Sequence, residues 1–120
     1  MFFNREKVSK EFKRNQKLAR HLVFFFTYTM DNKHLSIINI FFNKTKITLD
    51  SQLPSIEPVS NSESDEMKIV FSGYMEDIIL NHSDERILKK MNKIFRKNKA
   101  TYQIRVEDSK VVLYVSYINK

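Results

Sequence analysis

The sequence predicts a single α+β domain, residues 1–120, in which two amphipathic helices pack on one face of an antiparallel sheet of five or six strands. Apolar residues recur with helical spacing near the start of the chain and again in residues 84–99. Elsewhere, β-branched and aromatic residues dominate short stretches joined by turns, which is typical of antiparallel strands. The predicted order of elements is α-β-β-β-loop-β-α-β-β.

The first helix is predicted over residues 1–20. Its apolar positions recur at nearly helical spacing, with a polar residue at one turn: Val8, Phe12, Asn15, Ala19, Leu22. The other positions of the segment carry seven basic and two acidic residues. This excess of positive charge fits a solvated surface on a packed helix, and it fits a second basic binding surface equally well.

An antiparallel meander of three strands is predicted next: residues 21–30, 34–42, 46–50. Turn-forming residues separate these strands at 31–33 and 43–45. The alternative is one continuous helix over residues 8–30. The β-branched and aromatic residues at 27–29 argue against that helix.

Residues 51–66 are predicted to form a flexible acidic loop. The segment contains both prolines of the chain, five serines and four acidic residues, a composition that disfavours a packed element. A binding role for this loop stays open, as does a role as an acidic flap over a basic surface. The next strand is predicted over residues 67–74, where Gly73 allows a sharp bend, and residues 75–82 fit either a strand extension or a short helix.

The second helix, over residues 84–99, has the strongest charge pattern in the chain. One side is apolar, and the opposite side carries only basic residues: Arg86, Lys89, Lys90, Lys93, Arg96, Lys97. Residues 86–99 have a net charge of +7, equal to that of the whole chain, whereas residues 51–85 have eight acidic residues against one Lys. The basic side therefore needs an acidic partner, either in the preceding segment or in another molecule.

The last two strands are predicted to form a hairpin over residues 102–106 and 111–117. Apolar and polar residues alternate in both strands, and Asp108-Ser109 suits a tight turn. The hairpin carries the candidates for stacking on nucleic-acid bases: Tyr102, Tyr114, Tyr117. Phenylalanines at similar spacing are expected in the core instead: Phe24, Phe26, Phe41, Phe71.

The composition argues against the common classes of enzyme. The chain has one Gly, no Cys and three His without ligand spacing, which excludes Gly-rich phosphate loops, Cys nucleophiles and Cys-containing zinc sites. Asp50, Glu66 and Lys68 fit a magnesium-dependent nuclease pattern, but an acid two residues before a Lys is common by chance. We therefore expect no catalytic residues, no metal and no cofactor.

The leading hypothesis from the sequence is a small non-enzymatic protein that binds nucleic acid with low sequence specificity. Its pI of about 9.6 favours partners rich in phosphate. The basic residues of 84–99 would contact phosphates, together with Lys13, Arg14 and Lys17 of the first helix. A chain without Cys, and without an apolar run long enough to cross a bilayer, is predicted to be cytoplasmic.

The alternative hypothesis is a protein–protein interaction module. The abundance of Lys, Asn and Ile is typical of AT-rich coding sequences, such as those of low-GC bacteria, their phages and mobile elements. A protein of that origin would dock its basic helix in an acidic groove of a host protein and regulate it. A homodimer formed through the sheet is compatible with both hypotheses. A membrane-surface role for the first helix is a third interpretation.

Overall fold

The computed structural model describes residues 10–28, 34–42, 44–50, 54–59 and 66–118. It confirms the α+β class, with three helices and six strands in this part of the chain. They are α1 (Lys10–Tyr28), β1 (Ile38–Phe42), β2 (Thr45–Leu49), β3 (Ser55–Pro58), β4 (Met67–Phe71), α2 (Tyr74–Asn81), α3 (Glu85–Lys97), β5 (Ala100–Glu107), β6 (Lys110–Tyr117). The first nine residues of the predicted first helix, and the predicted turn at 31–33, lie outside the described residues.

All six strands form one antiparallel sheet, in the spatial order β3-β2-β1-β4-β6-β5. β4 lies between β1 and β6 and joins the first three strands to the final hairpin. β1 and β4 both alternate between fully and partly buried residues. That alternation shows that one face of the sheet is packed and the other is more exposed.

The core lies between the three helices and one face of the sheet. The register places Ile40, Ile69 and Leu113 in one row across the central strands, and all three side chains are fully buried. The ring of Phe26 from α1 meets the ring of Phe71 edge-on, with 6.1 Å between the centroids. The buried apolar side chains of every helix belong to this one cluster, which confirms the prediction of helices packed on one face.

The predicted strand over residues 21–30 is wrong, because α1 continues to Tyr28, and residues 29–30 lie outside the described residues. The alternative interpretation, one continuous helix over residues 8–30, agrees with this. The local composition favours a strand, but Leu18, Leu22 and Phe26 recur every four residues and are fully buried. Packing of this stripe on the sheet outweighs the small differences in intrinsic propensity. Phe24, expected in the core, is consequently 63% exposed.

The predicted loop over residues 51–66 contains an edge strand. β3 pairs with β2, with Ile56 opposite Ile47. The prolines that favoured a loop are compatible with this position, because one side of an edge strand has no backbone partner. Residues 51–53 and 60–65 of the predicted loop lie outside the described residues.

Residues 75–81 form most of a helix, α2, rather than a strand extension, and His82 follows the helix in a left-handed conformation. Gly73 precedes this helix with a φ of +67°, and a Cβ atom there would lie 2.8 Å from Oγ of Ser36. Only glycine adopts that conformation without strain at such a close approach. The Ser36 hydroxyl also accepts a hydrogen bond from the backbone N–H of Tyr74, at 2.8 Å. From this start, α2 directs three apolar side chains into the core: Met75, Ile78, Ile79.

Replacing Phe26 with Ala should destabilise the protein far more than replacing Phe24 with Ala. Phe26 is fully buried, so its truncation leaves a cavity and should lower the free energy of unfolding by about 3–5 kcal/mol. The exposed Phe24 should change it by about 0.5 kcal/mol or less. Urea denaturation measures both. The two side chains share a face in a strand and diverge in a helix, so equal losses would contradict the helical assignment.

Candidate nucleic-acid interface

Helix α3 is positioned by a polar cap at its N-terminus and by an apolar side that packs in the core. The side chain of Asp84 accepts hydrogen bonds from the backbone N–H groups of Arg86 and Ile87, at 3.2 and 3.4 Å. Four apolar side chains of the helix are buried: Ile87, Leu88, Met91, Phe95. Because their burial fixes the rotation of α3, its basic residues point to solvent.

All six basic residues predicted on this helix are exposed: Arg86, Lys89, Lys90, Lys93, Arg96, Lys97. Within the described part of the chain, their one ion pair joins Nε of Arg86 to Oδ1 of Asp84, at 3.7 Å. Glu57, from the predicted acidic loop, pairs instead with Lys46 of the sheet, at 3.3 Å. The described acidic residues of 51–85 therefore leave the basic side of α3 largely unneutralised.

A groove of about 350 Å³ between α1 and α3 gives this basic surface a concave part. We call it the α1–α3 groove, and its lining is His21, Phe24, Phe25, Lys90, Lys93, Ile94, Lys97. Asn98 connects the two helices beside it. Its Nδ2 donates a hydrogen bond to the carbonyl oxygen of Ile94 at 2.8 Å and lies 3.0 Å from Nδ1 of His21. The groove thus combines an aromatic and aliphatic floor with a rim of lysines.

The basic residues of α3 divide between two sides of the helix. Three lysines line the groove, whereas Lys89 and Arg96 project about 140–160° away from Ile94, on the flank opposite α1. The sequence did not select His21, Phe24 or Ile94 as site residues. Their role depends on how two helices far apart in the chain pack together, and helical spacing within one segment does not reveal that packing.

The basic residues predicted on the first helix, Lys13, Arg14 and Lys17, are exposed but do not form one cluster. Lys17 precedes His21 by about one helical turn and therefore lies at the end of the groove. The guanidinium carbon of Arg14 lies over the ring of Tyr117, 5.4 Å from its centroid. Lys13 projects about 80° away from the direction of His21. Of the three, Lys17 is the best placed to extend the groove.

Two of the predicted stacking residues, Tyr102 and Tyr117, lie on the sheet face that the helices cover. The hydroxyl of Tyr102 donates to Oδ1 of Asn92 at 2.6 Å, and its ring centroid lies 4.8 Å from that of Phe95. The hydroxyl of Tyr117 donates to the buried side chain of Asn15. Burial raises the pKa of Tyr102 and the pKa of Tyr117 above their ordinary value. Both rings serve helix packing, which removes them from the candidate stacking surface.

Tyr114 lies on the opposite, open face of the sheet. The guanidinium carbon of Arg105 lies 4.7 Å from its ring centroid, and its hydroxyl donates to Glu107 at 2.7 Å, which raises the pKa of Tyr114. The register places Tyr114 in one row with Lys68 and with Phe41, which was expected in the core but lies partly buried on this open face. This alternation of aromatic and basic side chains makes the row a second candidate contact surface.

No metal site is found among the residues that the structure describes, since no three His, Cys, Asp or Glu side chains there lie close enough to hold an ion. In the same part of the chain, no helix is long and apolar enough to cross a membrane. Comparisons of the chain with protein-family models, curated proteins and solved structures find no match. The candidate interface is therefore argued from its own geometry and charge.

Replacing Asn15 with Ala should lower the free energy of unfolding by about 1–3 kcal/mol, because the hydroxyl of Tyr117 then loses its acceptor. The double variant N15A/Y117F should lose clearly less than the sum of the two single losses, since both changes remove the same interaction. Urea denaturation of the four proteins in this cycle measures the coupling. The matched control is Tyr102→Phe, which should be additive with Asn15→Ala. Additive losses for Asn15 and Tyr117 would contradict the hydrogen bond.

Proposed function

We propose that this protein binds nucleic acid through the basic side of α3 and the α1–α3 groove, with low sequence specificity. The observation that carries the proposal is the row of exposed cations on α3, which, apart from Arg86, have no ion-pair partner among the described residues. Like charges four residues apart on a helix, such as Lys93 and Lys97, each cost a few tenths of a kcal/mol. A bound polyanion would relieve this repulsion, so phosphate groups fit the surface.

The spacing of the groove lysines supports a phosphate backbone as the ligand. Lys90 and Lys97 are seven residues apart, which corresponds to about 10 Å along the helix axis, and Lys93 lies between them. Phosphates of one strand of duplex DNA follow one another at about 3.4 Å along its axis. A length of about 10 Å along a duplex axis covers about three phosphate steps of one strand, so the three lysines fit one short stretch of backbone.

Low sequence specificity follows from the kind of cation in the groove. Its charged side chains are lysines, which act as point charges and lack the fork geometry of Arg. Base-specific readout commonly uses bidentate contacts from Arg, Asn or Gln to base edges. The amide of Asn98, beside the groove, is already engaged with Ile94 and His21. The groove suits the backbone of a nucleic acid better than its bases.

The proposal involves no catalytic step and no cofactor. A chain without Cys suits the reducing cytoplasm of a bacterial cell, including one that hosts a phage or a mobile element, and we place its action there. Homodimerisation through the sheet is part of the proposal, because pairing through a sheet leaves the α1–α3 groove accessible.

Reversing two groove lysines, in the variant K90E/K97E, should weaken binding to a fluorescently labelled DNA duplex by tenfold or more at low salt. Each lysine is proposed to meet a phosphate, so the slope of log affinity against log salt concentration should also fall by about two. Fluorescence anisotropy over a salt series measures both quantities, and circular dichroism confirms that the variant is folded.

The matched control is K44E/K110E, which changes the net charge by the same amount at two exposed positions outside the groove. This control should keep most of the affinity of the unmodified protein. An equal loss in both variants would show that overall charge is responsible, and an unchanged affinity in K90E/K97E would reject the groove as the binding site.

A protein with an acidic amphipathic helix is the alternative occupant of the groove, and one observation favours it. Phe24 is 63% exposed and lines the groove together with the partly buried Ile94, which gives an apolar floor that a phosphate backbone does not use. Apolar side chains of a helical partner would fit this floor, while its acidic residues met the lysine rim. Under this alternative, the protein is a phage- or mobile-element-type regulator of a host protein.

Replacing Phe24 with Ala distinguishes the two functions. Binding to duplex DNA should change by about twofold or less, because the phosphates meet lysines rather than the ring. A protein partner anchored on the ring should bind about tenfold or more weakly. Anisotropy measures the first effect, and pull-down of a stoichiometric protein from the bacterial host, with Phe24 present or replaced, measures the second. Recovery of one such protein without nucleic acid would favour the alternative.

A further inference from the structure

The two edges of the sheet differ in how well they are protected against pairing with another strand. β3 has four residues, includes Pro58 and directly follows Pro54, and a proline has no backbone N–H to donate. β5 has eight residues without a proline, and its register with β6 is unbroken from Ala100 to Glu107. A long edge strand without a bulge or a proline is a template for strand addition.

The outward backbone groups of β5 follow from its hairpin turn. Asp108 and Ser109, both with positive φ, form a two-residue turn, so Glu107 and Lys110 exchange backbone hydrogen bonds. The same alternation is seen at the other end of the hairpin, where the N–H of Ile118 donates to the carbonyl of Lys99 at 2.9 Å. The alternate residues of β5 therefore direct their N–H and C=O groups away from β6: Ala100, Tyr102, Ile104, Val106.

The apolar side chains at this edge are also accessible. Ile104 is 38% exposed and Val106 is 62% exposed, on the same face of the strand. The hydroxyl of Tyr102 donates a hydrogen bond to Asn92 of α3, which connects the helix to the N-terminal half of β5. Among the described residues, the edge thus presents backbone groups without a strand partner, together with exposed aliphatic side chains.

We propose that β5 pairs in antiparallel fashion with β5 of a second copy of the chain, about a two-fold axis through Ile104. This register lets the outward backbone groups of each strand meet those of the other. It places Tyr102 opposite Val106 of the partner subunit, an aromatic and β-branched pair that is favoured across strands. It also places Gln103 opposite Arg105 of the partner subunit, and Thr101 opposite Glu107 of the partner subunit.

The charges of β5 favour a second copy in this register. No like charges face each other when the axis passes through Ile104, whereas a shift of the axis to Arg105 would set two arginines directly opposite. A two-fold axis perpendicular to the sheet keeps the helices of both copies on the same side. The flank of α3 that carries Lys89 and Arg96 then faces the same flank of the partner subunit's helix.

The dimer would therefore make a composite basic surface from two α3 helices, a consequence that rests on the proposed function. The facing cations repel each other at low salt, and salt or bound polyanion screens them. Dimerisation should accordingly strengthen as salt rises and when a DNA duplex is added. The strand pairing itself does not depend on nucleic acid, so it is tested without it.

Sedimentation equilibrium tests whether the protein dimerises through β5. It is measured on the purified full chain at low and high salt, without nucleic acid. The unmodified protein should be dimeric at high salt. Ile104→Pro should weaken the dimer at least tenfold, because it removes a donor that points away from β6 and so spares the hairpin. The control Ile104→Thr keeps that donor and should stay largely dimeric. A monomer at every salt concentration, or a dimer that Ile104→Pro leaves intact, would overturn the proposal.

Cysteine crosslinking tests the register, since the chain has no Cys of its own. Two copies of Ile104→Cys would have Cα atoms about 5.5 Å apart, within the range of a disulfide. Two copies of Val106→Cys would be offset by four residues, about 13 Å, which is beyond it. Oxidation should crosslink only the first variant, and equal crosslinking of both would overturn the register. The folded monomer of Ile104→Pro is also tested for binding to the DNA duplex. Retained binding would show that the groove acts without the dimer, so failure of the edge can be told apart from failure of the proposed function.

Discussion

All three helices belong to one buried cluster built on the row of Ile40, Ile69 and Leu113 across the central strands. This one-sided burial fixes the direction of every other surface. Because Met91 and Phe95 are buried, the basic residues on the opposite side of α3 point to solvent. Burying a large apolar side chain contributes about 1.5–3 kcal/mol, several times the cost of one like-charge pair on a helix. The core can therefore support an unneutralised basic surface.

Much of the fold is legible in local sequence patterns. The alternation that predicted strands over residues 102–106 and 111–117 marks the final hairpin closely, and the amphipathic pattern over 84–99 marks α3. The segment 21–30 was misassigned because its β-branched and aromatic residues favour a strand. Packing of every fourth residue on the sheet stabilises a helix there instead. The short β3 was missed because its stability comes from pairing with β2, which its own composition does not reveal.

The candidate site was only half predictable, for a related reason. Exposure of the α3 cations follows from the spacing of charged and apolar residues along one segment. The groove depends on contact between His21 and Asn98, which are 77 positions apart in the chain. Tyr114 and Tyr117 were predicted together as stacking residues, but they lie on opposite faces of the last strand, and its pattern does not tell which face the helices cover. The groove and the covered face of the sheet both depend on packing between distant segments, which spacing within one segment does not reveal.

The buried hydrogen bond between Asn15 and Tyr117 joins positions 102 residues apart. The ribosome makes α1 before any other described element, yet this polar group receives its partner only when the last described strand has emerged. Until then, the Leu18, Leu22 and Phe26 stripe lacks the complete sheet on which it packs. The core of this domain can therefore close only after β6 has been made, and until then the nascent chain exposes the apolar side of α1 to solvent.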